Sequence, residues 1–375
     1  MPLEQLVIKP ATPAQAHEAV RRNASHWGAR VGITVDGYVK LFAIFQQEAF
    51  ARDGRLKTWQ VDSGRLRTFS FSSVTCCFYA SCQILTREVL ILQPGQSSPT
   101  SSFGHAISSV FVPPEHRGKG YANQFMSLMH SVLAPHRYPN PLKAPTVTDH
   151  PSSISVLYSA VGDYYARCIP SEGESGWTLQ KSLVTTWPLS NVEIPSSKGS
   201  SAPIELLSES DVTSTLDSDD SLIPADLLEL QKKDPTKTYF AFVPTAPLNA
   251  YSIIISKLSP GALSNPPWGA KISGTSDFMT WAYIRHPGLK LAITRLRASQ
   301  DSFPVLLNAA LQVARDMKCE SIEAWNVPEH LAEIARAAGG ETAEREVNRS
   351  AFKWYGHESS SKVENADVIW ALDER

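Results

Sequence analysis

One stretch limits what this chain can fold into more than any other: the run from His105 to Ala122 and the periodic pattern after it. A β-branched and aromatic segment ending at Val110, Phe111 and Val112 stops at Pro113 and Pro114. Proline cannot donate to a sheet ladder, so the strand must end there. Apolar residues then recur at Tyr121, Phe125, Leu128, Met129 and Val132. That spacing is one face of a 3.6-residue period and predicts a helix opening at Gly120. Gly118 and Gly120 let the backbone turn sharply and approach a ligand closely. Strand, turn and helix in this order gather free N–H groups, a helix N-terminus and the cations Arg117 and Lys119 around one hollow. Such a hollow suits a pyrophosphate.

Two common nucleotide motifs do not fit it. A P-loop needs Ser or Thr after its Gly-Lys, and Lys119 is followed by Gly120 and Tyr121. The dinucleotide fingerprint needs a third glycine where Asn123 stands. What fits is Arg-x-x-Gly-x-Ala over 117–122, and with it the chain resembles the GNAT acetyltransferase superfamily. The resemblance implies that Val110, Phe111, Val112, Arg117, Gly118, Lys119, Gly120, Tyr121 and Ala122 bind acetyl-CoA. The turn would hold the pyrophosphate and the strand would pair with the pantetheine arm. It also implies a mixed α/β central sheet flanked by helices.

The pattern upstream has the matching order. A short strand over 5–9 leads through Thr12 and Pro13 into a helix, and a second helical pattern covers about 38–51. Strands follow over 68–79, 82–92 and 103–112. Beyond the cofactor helix, a proline-rich insert spans 134–151, Ile154 to Tyr158 reads as a strand, and Asp163 is positioned to cap a short helix. At 375 residues the chain has room for two domains. We expect a cofactor-binding domain over 1–190, a Ser/Pro-rich linker over 191–203, and a C-terminal α/β domain over 204–375 that shapes the acceptor pocket. Strands at 278–284, 289–297 and 321–327 and helices near 303–314 and 329–338 give that second half a similar layout. No second Arg-x-x-Gly-x-Ala turn occurs in it.

Residues 200–231 hold eight carboxylates and no lysine or arginine. Such a run predicts a solvated face sooner than a field for a cationic substrate.

Composition excludes several classes. A net charge of −2 argues against a general nucleic-acid binder. No run of about 18 apolar residues points to a membrane, and no secretory leader pattern is visible. Five cysteines without Cys-x-x-Cys spacing fit free thiols in a cytoplasmic protein. The histidines lack metal-ligand spacing, so no metal is expected and most should lie at the surface. The sequence leaves the oligomeric state open.

In the superfamily, a tyrosine in a Leu-Tyr-x-x-x-Gly-Phe-like segment serves as the acid. Tyr165 fits its first part, but residues 169–175 intervene before Gly176 and Trp177. Tyr158 fits the same pattern without an insertion, so both remain candidates. For the base, the superfamily uses acids or histidines on the strand before the turn, and His105 is the titratable residue there. A strict two-residue period puts it on the face opposite Val110 and Val112, so a water relay to a carboxylate is the alternative. The stretches 104–112, 114–122, 156–162 and 370–375 are similar to the fungal family that acetylates free L-lysine. This implies a small-molecule amine as the second substrate, with a polyamine, a fungal metabolite or mere acyl-CoA binding as alternatives.

Overall fold

The computed structural model describes residues 6–29, 32–63, 78–139, 150–192, 203–243, 251–258, 261, 263–285, 288–359 and 362–365. The chain enters through β1 (Val7–Pro10) and α1 (Pro13–Asn23). A capping box starts α1: Thr12 accepts from the Gln15 N–H, and Gln15 accepts from the Thr12 N–H at 3.0 Å. A π-helical turn over Ala24–Gly28 follows, then α2 (Val35–Phe45), capped by Thr34. Next come β2 (Leu56–Asp62), β3 (Ala80–Leu92), β4 (Thr100–Phe111), α3 (Tyr121–Leu133) and β5 (Ser152–Ser159). A 3₁₀ turn over Tyr164–Arg167 leads to β6 (Thr178–Leu179) and β7 (Leu183–Pro188). The Asp163 side chain makes no capping bond to that turn, contrary to the sequence expectation.

The later chain adds β8 (Ile204–Leu207), α4 (Glu209–Asp220), α5 (Ile223–Lys233), β9 (Thr238–Phe242) and α6 (Tyr251–Leu258). Then follow β10 (Gly269–Ile272), β11 (Phe278–Ile284), β12 (Lys290–Arg297), α7 (Phe303–Asp316), β13 (Ser321–Trp325) and α8 (Glu329–Ala337). The last strands are β14 (Glu341–Glu344), β15 (Arg349–Trp354) and β16 (Val363–Asn365).

These strands form two sheets. The first has the order β1-β2-β3-β4-β5-β15-β6, with β9 beside β3 and β16 beside β9. The second runs β14-β7-β13-β12-β11-β10-β8. The two sheets do not divide at residues 191–203. β7 precedes that stretch yet joins the second sheet, whereas β9, β15 and β16 follow it and complete the first. Periodicity reports that a segment is a strand, but not which distant strand it pairs with.

On the first sheet, α3 covers one face, packing Phe125, Met129 and Val132 against Trp59, Cys82, Ile84 and Ile107. The opposite face carries α1, α2 and α6, with Val20, Phe42, Phe45 and Ile254 over Leu85, Val89 and Ala106. Helix α7 buries Leu307 and Leu311 on the second sheet, among Trp281, Tyr283 and Ile293. Strand β2 escaped the sequence reading. The strand expected over 68–79 lies largely outside the described residues, as does most of the insert. Among the described residues no helix is long and apolar enough to cross a membrane. Cys82, Cys168 and Cys319 are buried free thiols.

The acidic stretch is only partly a solvated face. Asp219 is fully buried and takes both Arg295 and Arg297 from β12, at 2.7 and 2.5 Å.

Candidate active site

The turn after β4 forms as its residues dictate. Pro113 and Pro114 end the strand, and Gly118 and Gly120 adopt φ of 72° and 80°, where side chains are disfavoured. Helix α3 opens at Tyr121 without a side-chain cap. Its first backbone bond is Gln124 N–H to the Gly120 carbonyl at 3.1 Å, and no backbone bond uses the N–H groups of 118–123. Those donors stand at the positive end of the helix dipole. Arg117 donates to the Val112 carbonyl at 3.0 Å and Lys119 to the Glu115 carbonyl at 2.8 Å. Both side chains are exposed and ring the turn with charge. Tyr121 stacks on Tyr79 at 4.4 Å, and His116 meets Tyr79 edge-on at 5.1 Å, neither contact being foreseeable from the sequence. Ala122 is half-buried beside them. The residues present fit a diphosphate.

Beside the turn the sheet opens. β4 and β5 pair in parallel only as far as Ile107 and Leu157. From there β4 stays with β3 and β5 with β15, to Phe111–Ser81 and Ser159–Arg349 respectively. The gap between them exposes two strand edges able to pair with an amide-bearing arm. A bulge sits at its apex: Ser109 has φ of 53° and donates to Gln83 at 3.1 Å. One extra residue there reverses the side-chain parity. Val110 and Val112 therefore pack under α3 on the same side as Ile107 and His105. The strict alternation expected from sequence put His105 on the other face, and the bulge is the reason it fails. Phe111 turns the other way, its ring 6.3 Å from His26.

His105 is nevertheless remote from the gap. It lies four residues before the bulge, about 13 Å along the strand, by a cavity of about 240 Å³ at the far end of α3. It is 2% exposed, and its Nδ1 has no hydrogen-bond partner. Burial, with His150 and Lys57 nearby, pushes its pKa down to about 3.

The structure brings Tyr165 and Gly176–Trp177 together despite the insertion. Gly176 N–H donates to the Ala166 carbonyl at 3.0 Å and Trp177 N–H to the Tyr165 carbonyl at 3.1 Å, so residues 169–175 loop out. A Cβ on Gly176 would sit 2.2 Å from the Tyr165 carbonyl oxygen, which only glycine avoids. Asn123 of α3 donates to the Arg167 carbonyl at 3.1 Å, tying this turn to the helix start. Tyr165 packs with Val110, Val112 and Tyr121 on the α3 side. Burial raises its phenol pKa, and Cys168 and Cys82 add to the shift. Tyr158 occupies the opposite face, where its ring lies 5.6 Å from Trp325 and borders a cavity of about 470 Å³ between the sheets.

Two features escaped the sequence reading. His130, expected at the surface, is fully buried. It bridges Tyr355 at 3.0 Å and the Cys168 carbonyl at 2.9 Å and stacks on Trp177, clamping the Tyr165 turn against α3. Its position one residue beyond Met129 on a nearly all-buried helix was the available signal. The second is a row of uncharged polar side chains on the face away from α3: Gln60, Ser81, Gln83 and Ser109 on adjoining strands. Both amide atoms of Gln60, the Ser81 hydroxyl and Asn23 Oδ1 lack partners. Buried groups of this kind need water or a ligand to satisfy them. Trp281 and Tyr283 are core residues of the second sheet. Among the described residues no group of three His, Cys, Asp or Glu is arranged to hold a metal ion.

The buried histidines set an acid limit on stability. His130, like His105, is held near pKa 3 by burial, against an ordinary value of 6.5. The unfolded chain takes up these protons near pH 6.5 and the folded chain does not, so stability present above pH 6.5 drains away as the pH falls toward 3. Urea midpoints are expected to be level above pH 7 and to decline below 6.5. His105→Leu should flatten part of that decline, and an unchanged slope would refute the assignment.

A family model described as the LYC1 GNAT-like C-terminal domain matches residues 188–375. The chain is 32% identical over 158 residues to a curated lysine acetyltransferase of Yarrowia lipolytica, covering 39% of this chain and 36% of that relative. The match thus spans little more than a third of the relative's length. A GCN5-related N-acetyltransferase from Anabaena variabilis superposes with a TM-score of 0.53 at 13% identity, over 94% of this chain and 73% of that one. An Enterococcus faecalis protein described as a probable N-acyltransferase gives 0.53 at 10% identity, over 93% and 72%. At such identities the similarity speaks to the fold alone. It supports the expected mixed α/β architecture.

Proposed function

The chain belongs to the family defined by the LYC1 GNAT-like C-terminal domain, and from that premise we propose that it transfers acetyl from acetyl-CoA to the ε-amine of free L-lysine. The observation that carries the reading is the open β4–β5 gap, with the Ser109 bulge at its apex and the free N–H groups of 118–123 at its mouth. Backbone donors at the bulge suit a thioester oxygen that gains charge. Holding both substrates across the gap makes the attack effectively unimolecular.

In this reading the neutral amine attacks the thioester carbon. A C–N bond forms, the C–S bond breaks, the amine proton leaves through water along the Gln60–Ser81–Gln83 row, and the thiolate takes up a proton to give CoA. His105 has no part in it. Tyr165, kept protonated by burial, donates to the departing sulfur. The relative's printed name, lysine acetyltransferase, favours lysine as acceptor.

Thiol release measured with a panel of free amines tests the proposal, and lysine turning over no better than spermidine would defeat it. Arg117→Ala is expected to weaken CoA binding by about 1.5–3 kcal/mol, the size of a charge-assisted contact. Calorimetry with CoA measures this. Unchanged affinity would remove the turn from the cofactor site.

A further inference from the structure

The cavity beside His105 takes no part in the reaction described above. It lies about 13 Å along β4 from the bulge, and its volume of about 240 Å³ leaves room for a small molecule. Three neighbouring strands build one wall. Lys57 of β2 stands opposite Ile84 of β3, and Thr86 of β3 stands opposite His105 of β4. Alternation along each strand turns these side chains to the face that α3 covers, together with Trp59, Ile84 and Ile107. Trp59, Ile84, Val132 and Leu133 make the rest of the lining apolar, and Phe103 borders it with the His150 ring 4.1 Å away.

The polar groups of this hollow are donors in want of an acceptor. Among the described residues the half-buried Lys57 forms no ion pair or hydrogen bond, and neither does the Thr86 hydroxyl. His105 is 2% exposed, its Nδ1 is sealed without a partner, and its other ring nitrogen makes no hydrogen bond. Lys57 and His150 both lie close enough to oppose protonation of the His105 ring. Groups of like sign thus converge on one space. A buried donor left unsatisfied is costly, which is a reason to expect an occupant.

The other charges around the cavity are engaged elsewhere or exposed. Glu88 is exposed and receives the Ser101 hydroxyl at 2.7 Å. Asp53 is exposed beside Arg52 and Arg55, at 3.7 and 3.9 Å. Arg87 donates to the Val243 carbonyl at 3.2 Å. The two carboxylates, with the negative end of the α3 dipole, offset part of the positive charge. A singly charged anion therefore suits the site better than a phosphate dianion, and the apolar lining suits a ligand with a hydrocarbon body.

We propose that this cavity binds a small monocarboxylate, its carboxylate between Lys57 and His105 and its apolar body against Trp59 and Leu133. The neutral imidazole offers one N–H, Thr86 offers its hydroxyl, and Lys57 supplies the charge. The site is separate from the cofactor turn and stands whether or not the acetyltransferase reading holds.

The test titrates the full-length protein with butyrate, with and without saturating CoA, and follows the His105 ring protons by nuclear magnetic resonance. Butyrate is expected to bind in both cases and to shift the His105 signals. 1-Butanol, the same chain without the charge, should bind about tenfold more weakly, the low end for a charge-assisted bond. Lys57→Met keeps the apolar stem and removes the charge. It should weaken butyrate by a similar factor, with CoA binding unchanged. The His105 shift in the parent needs no variant, so the proposal stays open to refutation even if Lys57→Met folds poorly. His105 signals unmoved at about 10 mM butyrate, a weak affinity for any built site, would overturn it. So would butanol matching butyrate, inorganic phosphate binding more tightly than butyrate, or a folded Lys57→Met with undiminished affinity. Binding that CoA abolishes would place butyrate in the β4–β5 gap and overturn the proposal as well.

Discussion

Tyr165→Phe is expected to lower kcat by about 10²-fold, the low end of what a positioned proton donor contributes, while leaving CoA affinity within about twofold. The reason lies in what phenylalanine keeps. The ring retains its edge contacts with Tyr164 and Trp177, at 5.5 and 6.4 Å, so the turn that carries it should hold its shape. What goes is a hydroxyl that burial keeps protonated well past its ordinary range. A phenol with a raised pKa is a poor source of a fully transferred proton but a steady hydrogen-bond donor to a developing thiolate. The loss should therefore appear in kcat, and the alkaline limb of the parent's pH profile should lie above pH 10. Tyr158→Phe is expected to behave differently. On the opposite face and beside Trp325, it should alter acceptor KM and leave thiolate departure alone. Steady-state thiol release at saturating acetyl-CoA separates the two, and a larger kcat loss in Tyr158→Phe would reverse the assignment.

How much of this was legible beforehand depended on how local the deciding interaction was. The turn from Val110 to Ala122 was readable because two prolines, two glycines and a helical period act on their own neighbours. Helices α1, α7 and α8 followed from their apolar spacing for the same reason. The Ser109 bulge was invisible, since a serine at positive φ leaves no trace in a β-branched run, and that one residue inverted the face of His105. The return of β9, β15 and β16 to the first sheet was equally hidden, because strand partners more than a hundred residues apart are chosen by tertiary packing. Tyr165 was recognisable by its segment, yet its pairing with Gly176 needed the looped insertion to be seen.

Removing one carboxylate far from the gap should do more damage to the molecule than any of the site changes. Asp219→Asn is expected to cost about 3–5 kcal/mol, the usual penalty for leaving a buried charge without its partner. Asp219, on α4, is fully buried and receives Arg295 and Arg297 of β12, and Arg297 also makes a paired contact with Asp226 of α5. These contacts raise the Arg297 pKa, so the guanidinium cannot escape its charge by losing a proton. Arg297 would keep Asp226 after the substitution, but Arg295, with a side chain only 5% exposed, would face a neutral amide. Desolvation of that cation is then uncompensated, and α4 loses its tie to the sheet. A second replacement identifies the cause. Combining Asp219→Leu with Arg295→Met removes both charges and fills similar volume, which in buried pairs restores or exceeds the original stability. Urea midpoints across the four-member cycle should show the single changes strongly destabilising and the pair close to the parent. If the double variant is as unstable as Asp219→Asn, packing of α4 and not its charge pairing holds the second sheet together.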